Sequence, residues 1–363
     1  MKVLVVGPDR SDPGGVANFY NAVFPRLSNS SVETCYLEIG STKSGGAVLH
    51  TVTDQYRYWK MIGQFNPDII HLNPSLDFRS FTRDGLFIFL GKLRARKVLV
   101  FFRGWQKPFE LRVTGLLRFF FSVTYRRADA FIVLAKEFAV SLEKWGVTAP
   151  ISLGTTTVDD ELLAGFSIEE KLEDIDKTTT IRLLYLARLE RDKGVVELVK
   201  GVKSLLQNGI SVSLTIAGTG PAANEVKSEI ERLGSDQKFI SLIGYVRGKD
   251  KAEVFKSHHI FCFPTQYGEG MPNAVLEAMA FGLPIVTCPV GGVADFFEDT
   301  NMGALIPNTS PEAIACSIST LLLDRSELVA IAQYNYLYAQ ERFLASTVAE
   351  FLQTRYSDIS SAG

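Results

Sequence analysis

Short, unbroken apolar runs alternate along this chain with longer stretches in which apolar positions recur every three or four residues. Lys2–Val6, Ile69–Leu72, Val98–Phe102 and Ala130–Leu134 make a first set of runs. Ile181–Leu186, Ser213–Ala217, Ile260–Phe263 and Pro284–Thr287 make a second. A run apolar at successive positions fits a strand covered on both faces, as in a parallel sheet flanked by helices. Helical stretches such as Val195–Gln207 and Ala222–Leu233 lie between the runs, so βαβ units follow. The pattern predicts an α/β chain with two Rossmann-like halves.

Between the two sets, Thr155–Thr180 carries clustered threonines, Asp159-Asp160 and Glu169-Glu170, with few periodic apolar positions. It reads as the link between domains over residues 1–158 and 159–339. The last helical stretch, Ala339–Tyr356 (a helix of about 340–358), is expected to fold back on the first domain.

Composition narrows the function class. With 46% hydrophobic and 21% charged residues, the 363-residue chain has the balance of a globular protein with a large core. Its net charge of −2 argues against a dedicated nucleic-acid binder. Cys35, Cys262, Cys288 and Cys316 show no CxxC spacing, which points to a reducing compartment and to neither a metal site nor a disulfide framework. The opening apolar run is too short for a signal peptide, and no run approaches the ~20 residues of a spanning helix. A cytoplasmic protein is expected.

The residues with chemical potential gather where the second set of runs ends. After Ile260–Phe263 comes Tyr267-Gly268-Glu269-Gly270-Met271-Pro272-Asn273-Ala274-Val275-Leu276-Glu277. Pro272 suits the first turn of a helix and Gly282 its stop, and such a helix offers free N–H groups and its positive end to an anion. Glu277 can accept both hydrogen bonds of a ribose diol, and Glu269, in the turn, can grip the hydroxyls of a sugar. The plainer reading is two solvated glutamates around a turn. After Ile181–Leu186 comes Ala187-Arg188-Leu189-Glu190-Arg191-Asp192-Lys193-Gly194. Arg188 offers a fork suited to phosphate and Lys193 a mobile point charge, at a strand end where α/β folds bind ligands. The same cations also read as solvated surface. Gly14-Gly15, Gly218-Thr219-Gly220 and Gly291-Gly292 follow strands too, yet none completes GxGxxG or GxxxxGK[ST].

Taken in order, Gly14-Gly15, Arg188…Lys193-Gly194, Gly218-Thr219-Gly220, Gly244-Tyr245-Val246, Glu269-x7-Glu277 and Gly291-Gly292 make the chain resemble retaining glycosyltransferases of family 4. The match is specific in the C-terminal half and loose in the N-terminal half. The tail from Phe343 to Tyr356 resembles the family's closing helix. The resemblance implies the GT-B fold, in which two Rossmann-like domains face each other across a cleft that holds a nucleotide-sugar. It implies metal-independent, retaining hexosyl transfer from a UDP- or GDP-sugar to a glycan or lipid-linked hydroxyl, in cell-surface polysaccharide biosynthesis. No cofactor beyond the co-substrate is implied. Arg188 and Lys193 would neutralise the diphosphate leaving group, as fixed cations facing developing negative charge should. Glu269 with Gly270, Met271, Pro272 and Asn273 would hold the donor sugar, Glu277 the ribose and Val246 the base. Gly14 and Gly15 would close over the phosphates, and Gly218 belongs to the same donor-binding set.

Several positions depart from the family's pattern. Ala187 stands where a glycine often precedes the arginine, and Asp295 where a glutamate commonly follows the Gly-Gly loop. Arg103-Gly104-Trp105 ends the run Val98–Phe102, where many relatives carry a histidine near the reacting sugar. An arginine cannot act as a base but can bind a phosphate of donor or acceptor; a structural ion pair is the alternative. His71, at the end of Ile69–Leu72, is a candidate sugar or acceptor contact, or else a core histidine. His258-His259, expected on a helix before a strand, reads as structural.

The near-neutral net charge conceals a split. Residues 78–127 hold 12 Lys and Arg against Asp84 and Glu110, a net +10 that leaves −12 elsewhere, together with 10 of the 25 phenylalanines. Cations interleaved with large apolar side chains suit an anionic membrane surface, so a peripheral enzyme on the inner face of the cell membrane is one expectation. Aromatics in the core beneath a solvated basic face is the other. A nucleotide-sugar epimerase of the same fold and a non-catalytic nucleotide-sugar-binding protein remain alternatives. No convincing carboxylate-plus-histidine set favours the first, and the paired cations beside Glu269 and Glu277 disfavour the second.

Overall fold

The computed structural model describes residues 1–12, 14–40, 47–266 and 270–361, without the side chains of 47–51. It divides into two compact units, Met1–Thr157 with Ala345–Gly363, and Val158–Leu344.

Each unit is built on a six-stranded, wholly parallel sheet. In the first unit the strands are β1 (Lys2–Pro8), β2 (Glu33–Ile39), β3 (Ile69–Leu72), β4 (Lys97–Phe101), β5 (Ala130–Val133) and β6 (Ile151–Leu153), in the order β2-β1-β3-β4-β5-β6. In the second they are β7 (Ile181–Leu186), β8 (Val212–Ala217), β9 (Ile240–Gly244), β10 (Ile260–Phe263), β11 (Ile285–Thr287) and β12 (Gly303–Leu305), in the order β9-β8-β7-β10-β11-β12. Counted from β7, this is the doubly wound order 3-2-1-4-5-6, whose ligand crevice opens at the carboxyl ends where the winding reverses. That reversal lies between β7 and β10 in the second unit, and between β1 and β3 in the first.

The eight runs legible in the sequence are the eight inner strands. The four edge strands β2, β6, β9 and β12 lack such runs because only part of each is covered: β9 fully buries Ile240 alone, and no residue of β6 is fully buried. The stretch Thr155–Thr180 is more than a link. Its second half forms the helix Ile168–Lys177, which belongs to the second unit and buries Ile168, Lys171 and Ile175. A lysine at a core-facing position hid the period. Lys171 Nζ donates to the carbonyls of Phe255 (3.1 Å), Lys256 and His258 (2.6 Å), which satisfies the buried ammonium.

The final helical stretch is two helices, Arg325–Arg342 in the second unit and Ala345–Ser361 in the first. The latter packs on the helix Gly15–Leu27, where Gln353 Nε2 donates to the Arg26 and Leu27 carbonyls at 3.0 Å each. Lys97 Nζ also donates to the Ile359 carbonyl at 2.7 Å. His258 and His259 lie after the helix Gly248–Lys256 rather than on it, and both are buried.

Candidate functional site

In the second unit, the loops after β7 and β10 meet at the winding reversal. Glycine makes their close approach possible: Gly194 has φ +69°, and a Cβ there would lie 2.1 Å from the Pro264 carbonyl oxygen. The Gln266 N–H donates to the Asp192 carbonyl at 2.8 Å. Arg188 is exposed and pairs with Glu190 at 3.2 Å, while Lys193 Nζ lies 5.8 Å from the centre of the Phe263 ring. Both cations are thus carried by the loop that leaves the first-wound strand.

The loop after β10 leads into the helix Asn273–Ala280, with Pro272 as its cap residue and Gly282 (φ +66°) just past its end. Among the described residues, no side chain caps this helix and no acidic residue occupies its first turn, so its leading N–H groups can receive an anion. The Gly270 carbonyl accepts from the Gly292 N–H at 2.7 Å, and Met271 packs on the core, which fixes the turn from below. Glu277, five residues into the helix, is buried. Burial pushes its carboxyl above the ordinary range, and Lys251, whose Nζ lies 2.7 Å from Oε1, pulls it back. Glu269 lies outside the described residues. Among those residues, no group of three His, Cys, Asp or Glu side chains comes together to hold a metal ion.

Gly218 stands where no side chain fits. With φ +149°, its missing Cβ would sit 1.9 Å from the Ala187 carbonyl oxygen, directly beneath the Arg188 loop. The Leu189 N–H donates to the Thr219 carbonyl at 2.9 Å, so this glycine turn is a platform for the cationic loop. Val246 is half-buried just beyond β9, beside a largely exposed Tyr245.

In the first unit, a Cβ at Gly14 or Gly15 would meet nothing within 4 Å, so the start of the helix Gly15–Leu27 is open. His71 does not face open space. It is fully buried, with Nδ1 2.6 Å from the Tyr356 hydroxyl and Nε2 3.4 Å from that of Tyr20. Burial, with Arg103 nearby, pushes it down to about 3, so it stays neutral and holds the helix Ala345–Ser361 to the sheet. Arg103 forms no ion pair among the described residues. Its guanidinium lies 3.8 Å from the Phe19 ring centre and 4.2 Å from that of Phe101.

The basic, phenylalanine-rich segment 78–127 is mostly core in its aromatics. Phe81, Phe87, Phe101, Phe102, Phe109 and Phe121 are buried. Its exposed large apolar residues are Phe78, Leu86 and Leu93 on one helix and, beside exposed Arg112, Leu111 (82% exposed), Leu116 (81%) and Phe119 (63%). The helix Gly115–Val123 is apolar at six of its nine positions, all but Gly115, Arg118 and Ser122, and fully buries Phe121 alone.

Comparison with known proteins bears on the second unit. Residues 167–338 match the family described as glycosyl transferases group 1. The match covers just under half of the chain. The capsular polysaccharide biosynthesis glycosyltransferase CapM of Staphylococcus aureus is 25% identical over 224 residues, 62% of this chain and 57% of that protein. The chain spans about half the length of the curated relatives it matches. Fold likeness extends over both units. The Anabaena protein Alr3699/HepE, solved with UDP, superposes with a TM-score of 0.74 at 14% identity, covering 99% of this chain and 100% of that one. A UDP-N-acetylglucosamine 2-epimerase structure from Listeria monocytogenes gives 0.65 at 15% identity, covering 98% and 97%. The architecture is that of GT-B glycosyltransferases.

Within the matched segment, the structure brings together Arg188, Lys193, Gly270–Asn273 and Glu277 at one winding reversal. It adds Lys251, which sequence reading missed. Lys251 sits one turn into the helix Gly248–Lys256 among Lys249, Asp250 and Lys256, where nothing in the spacing marks it from its neighbours.

Proposed function

We propose that this protein transfers a sugar from a nucleotide-sugar to an acceptor hydroxyl, with retention of configuration and without a metal ion. The observation that carries this reading is the placement of two cations and an uncapped helix start on the loops that flank the β7/β10 reversal. A departing nucleoside diphosphate develops negative charge there, and fixed positive groups stabilise it. Arg188 and Lys193 take the phosphates, and Glu277 receives the ribose hydroxyls. Val246 lies against the base, and Gly270–Asn273 with Glu269 hold the sugar. The leaving phosphate accepts the proton of the attacking hydroxyl, which approaches from the face the diphosphate leaves. The names of the relatives support a hexosyl donor linked to UDP and a role in building surface polysaccharide.

The acceptor side falls to the first unit, which we assign to a lipid-linked glycan met at an anionic membrane. Leu111, Arg112, Leu116 and Phe119 support this, since exposed apolar side chains beside cations bind such surfaces. Among the described residues, no helix is long and apolar enough to cross a membrane.

A panel of UDP-, GDP- and ADP-sugars, read by protection against thermal unfolding, tests the donor. One nucleotide class should stabilise the protein, and failure of all three would sink the proposal. Interconversion of the free nucleotide-sugar with no release of diphosphate would favour the epimerase reading.

A further inference from the structure

The carboxyl-end reversal of the first sheet carries cations that the donor chemistry leaves unused. Arg103 follows β4, and its N–H donates to the Pro74 carbonyl at 2.8 Å, which ties it to the loop after β3. Its guanidinium rests on Phe19, from the helix that follows β1, and on Phe101. It therefore stands at the β1/β3 reversal, where a doubly wound sheet takes its ligand.

Part of its hydrogen-bonding capacity is unmet. Nε and Nη1 are buried with no acceptor. The neighbouring polar groups are committed elsewhere: the Tyr20 hydroxyl donates to Asn73 Oδ1 at 2.7 Å, Asn73 Nδ2 donates to the Val6 carbonyl at 3.0 Å, and His71 pairs with Tyr356. Ring faces attract the charge but supply no lone pairs to the N–H groups. A buried guanidinium in this state is stable only poorly unless an anion completes it. Arg10, in the loop after β1, repeats the pattern. Its Nε is buried without a partner, its guanidinium lies 5.2 Å from the Tyr36 ring centre, and the Tyr36 hydroxyl feels both Arg10 and Arg103. Each of these two cations has an unmet buried N–H group, and among the described residues no carboxylate pairs with either.

We propose that Arg103, assisted by Arg10, binds a phosphate group of the acceptor. The donor's diphosphate already has Arg188, Lys193 and a helix start in the other unit, so this second cationic set answers a second anionic ligand. A planar fork meets phosphate oxygens in pairs, which makes Arg103 a specificity-determining residue for phosphorylated acceptors. The inference rests on the sugar-transfer reading only for the ligand's role as acceptor.

The test uses the full-length protein, inorganic phosphate as probe, and UDP at saturation to occupy the donor's phosphate positions. Phosphate should bind wild type at least tenfold more tightly than Arg103→Gln, while the UDP affinities of the two agree within twofold. Arg103→Gln should unfold at the same or a higher temperature than wild type when phosphate is absent. Equal phosphate affinity in both proteins overturns the proposal. So does a tenfold loss of UDP affinity in Arg103→Gln, which would give the site to the donor. A lower unfolding temperature with unchanged phosphate binding would make Arg103 a packing residue. If Arg103→Gln does not fold, Arg103→Lys keeps the charge and loses the fork. It should bind phosphate at least threefold more weakly, and unchanged affinity again overturns the proposal. If UDP fails to bind at all, the transferase reading fails, while the phosphate comparison still decides the role of Arg103.

Discussion

Lys251 Nζ lies 2.7 Å from Glu277 Oε1, and both side chains are largely buried in the second unit. Burial raises the Glu277 carboxyl above its ordinary value, and the Lys251 ammonium opposes that rise. Lys251→Met should therefore be the costlier single change, by about 3–5 kcal/mol, because it strands a buried charge. Glu277→Gln should cost less in stability but should weaken UDP binding tenfold or more. The double variant should recover part of the stability lost in Lys251→Met. Urea unfolding and calorimetric titration with UDP supply both readouts, and additive stability losses would contradict a coupled pair.

Arg188→Ala and Lys193→Ala should lower kcat by about 10²–10³ each, the usual effect of removing one preorganised group that faces developing charge. Their effect on donor affinity should be smaller, because a cation that acts on the leaving group works mainly in the transition state. Steady-state release of nucleoside diphosphate gives both parameters. Loss of affinity with kcat unchanged would make these residues binding groups only.

Leu116→Asp with Phe119→Asp should abolish sedimentation with vesicles rich in anionic lipid while leaving UDP binding intact. Leu116 and Phe119 stand far out of the core, so the fold should tolerate the change. Wild type should bind at low salt and weaken at high salt. No binding by wild type at either salt removes the membrane from the account.

Acid should destabilise the protein well above the carboxylate range. Burial is the chief cause that lowers His71 to about 3 and His258 and His259 to about 4. In the unfolded chain these imidazoles bind protons near pH 6.5, so below that value the unfolded state holds more protons than the folded one. Their contribution is complete above about pH 6.5 and is lost as the pH falls toward 4, at up to about 1.4 kcal/mol per pH unit for each histidine. His71→Gln should flatten the dependence by about one proton. An unchanged slope would exclude His71 as a source.

How far the sequence carried the structure follows from burial. Inner strands such as Ile69–Leu72 and Ile260–Phe263 are covered on both faces and read as continuous apolar runs. Edge strands such as β9, Ile240–Gly244, are half-covered and gave no such run. The helix Ile168–Lys177 was hidden because Lys171 occupies a core-facing position and is satisfied by three carbonyls that only the folded chain assembles. Arg188, Lys193 and Glu277 were legible since each sits at a fixed offset from a strand end. Lys251 was not, because its role comes from a contact with Glu277, 26 residues along the chain on another helix. His71 was legible as a strand-end histidine, but its burial against Tyr356, 285 residues along the chain, was not.

The central claim is sugar transfer with retention at the β7/β10 reversal, and proton NMR of turnover tests it most directly. The stabilising nucleotide-sugar would be followed with the protein and an acceptor, and the anomeric coupling of the first-formed product compared with that of the donor. The account predicts diphosphate release and a product with the donor's anomeric configuration, both lost in Arg188→Ala. Inverted product, or turnover that survives Arg188→Ala undiminished, would contradict it.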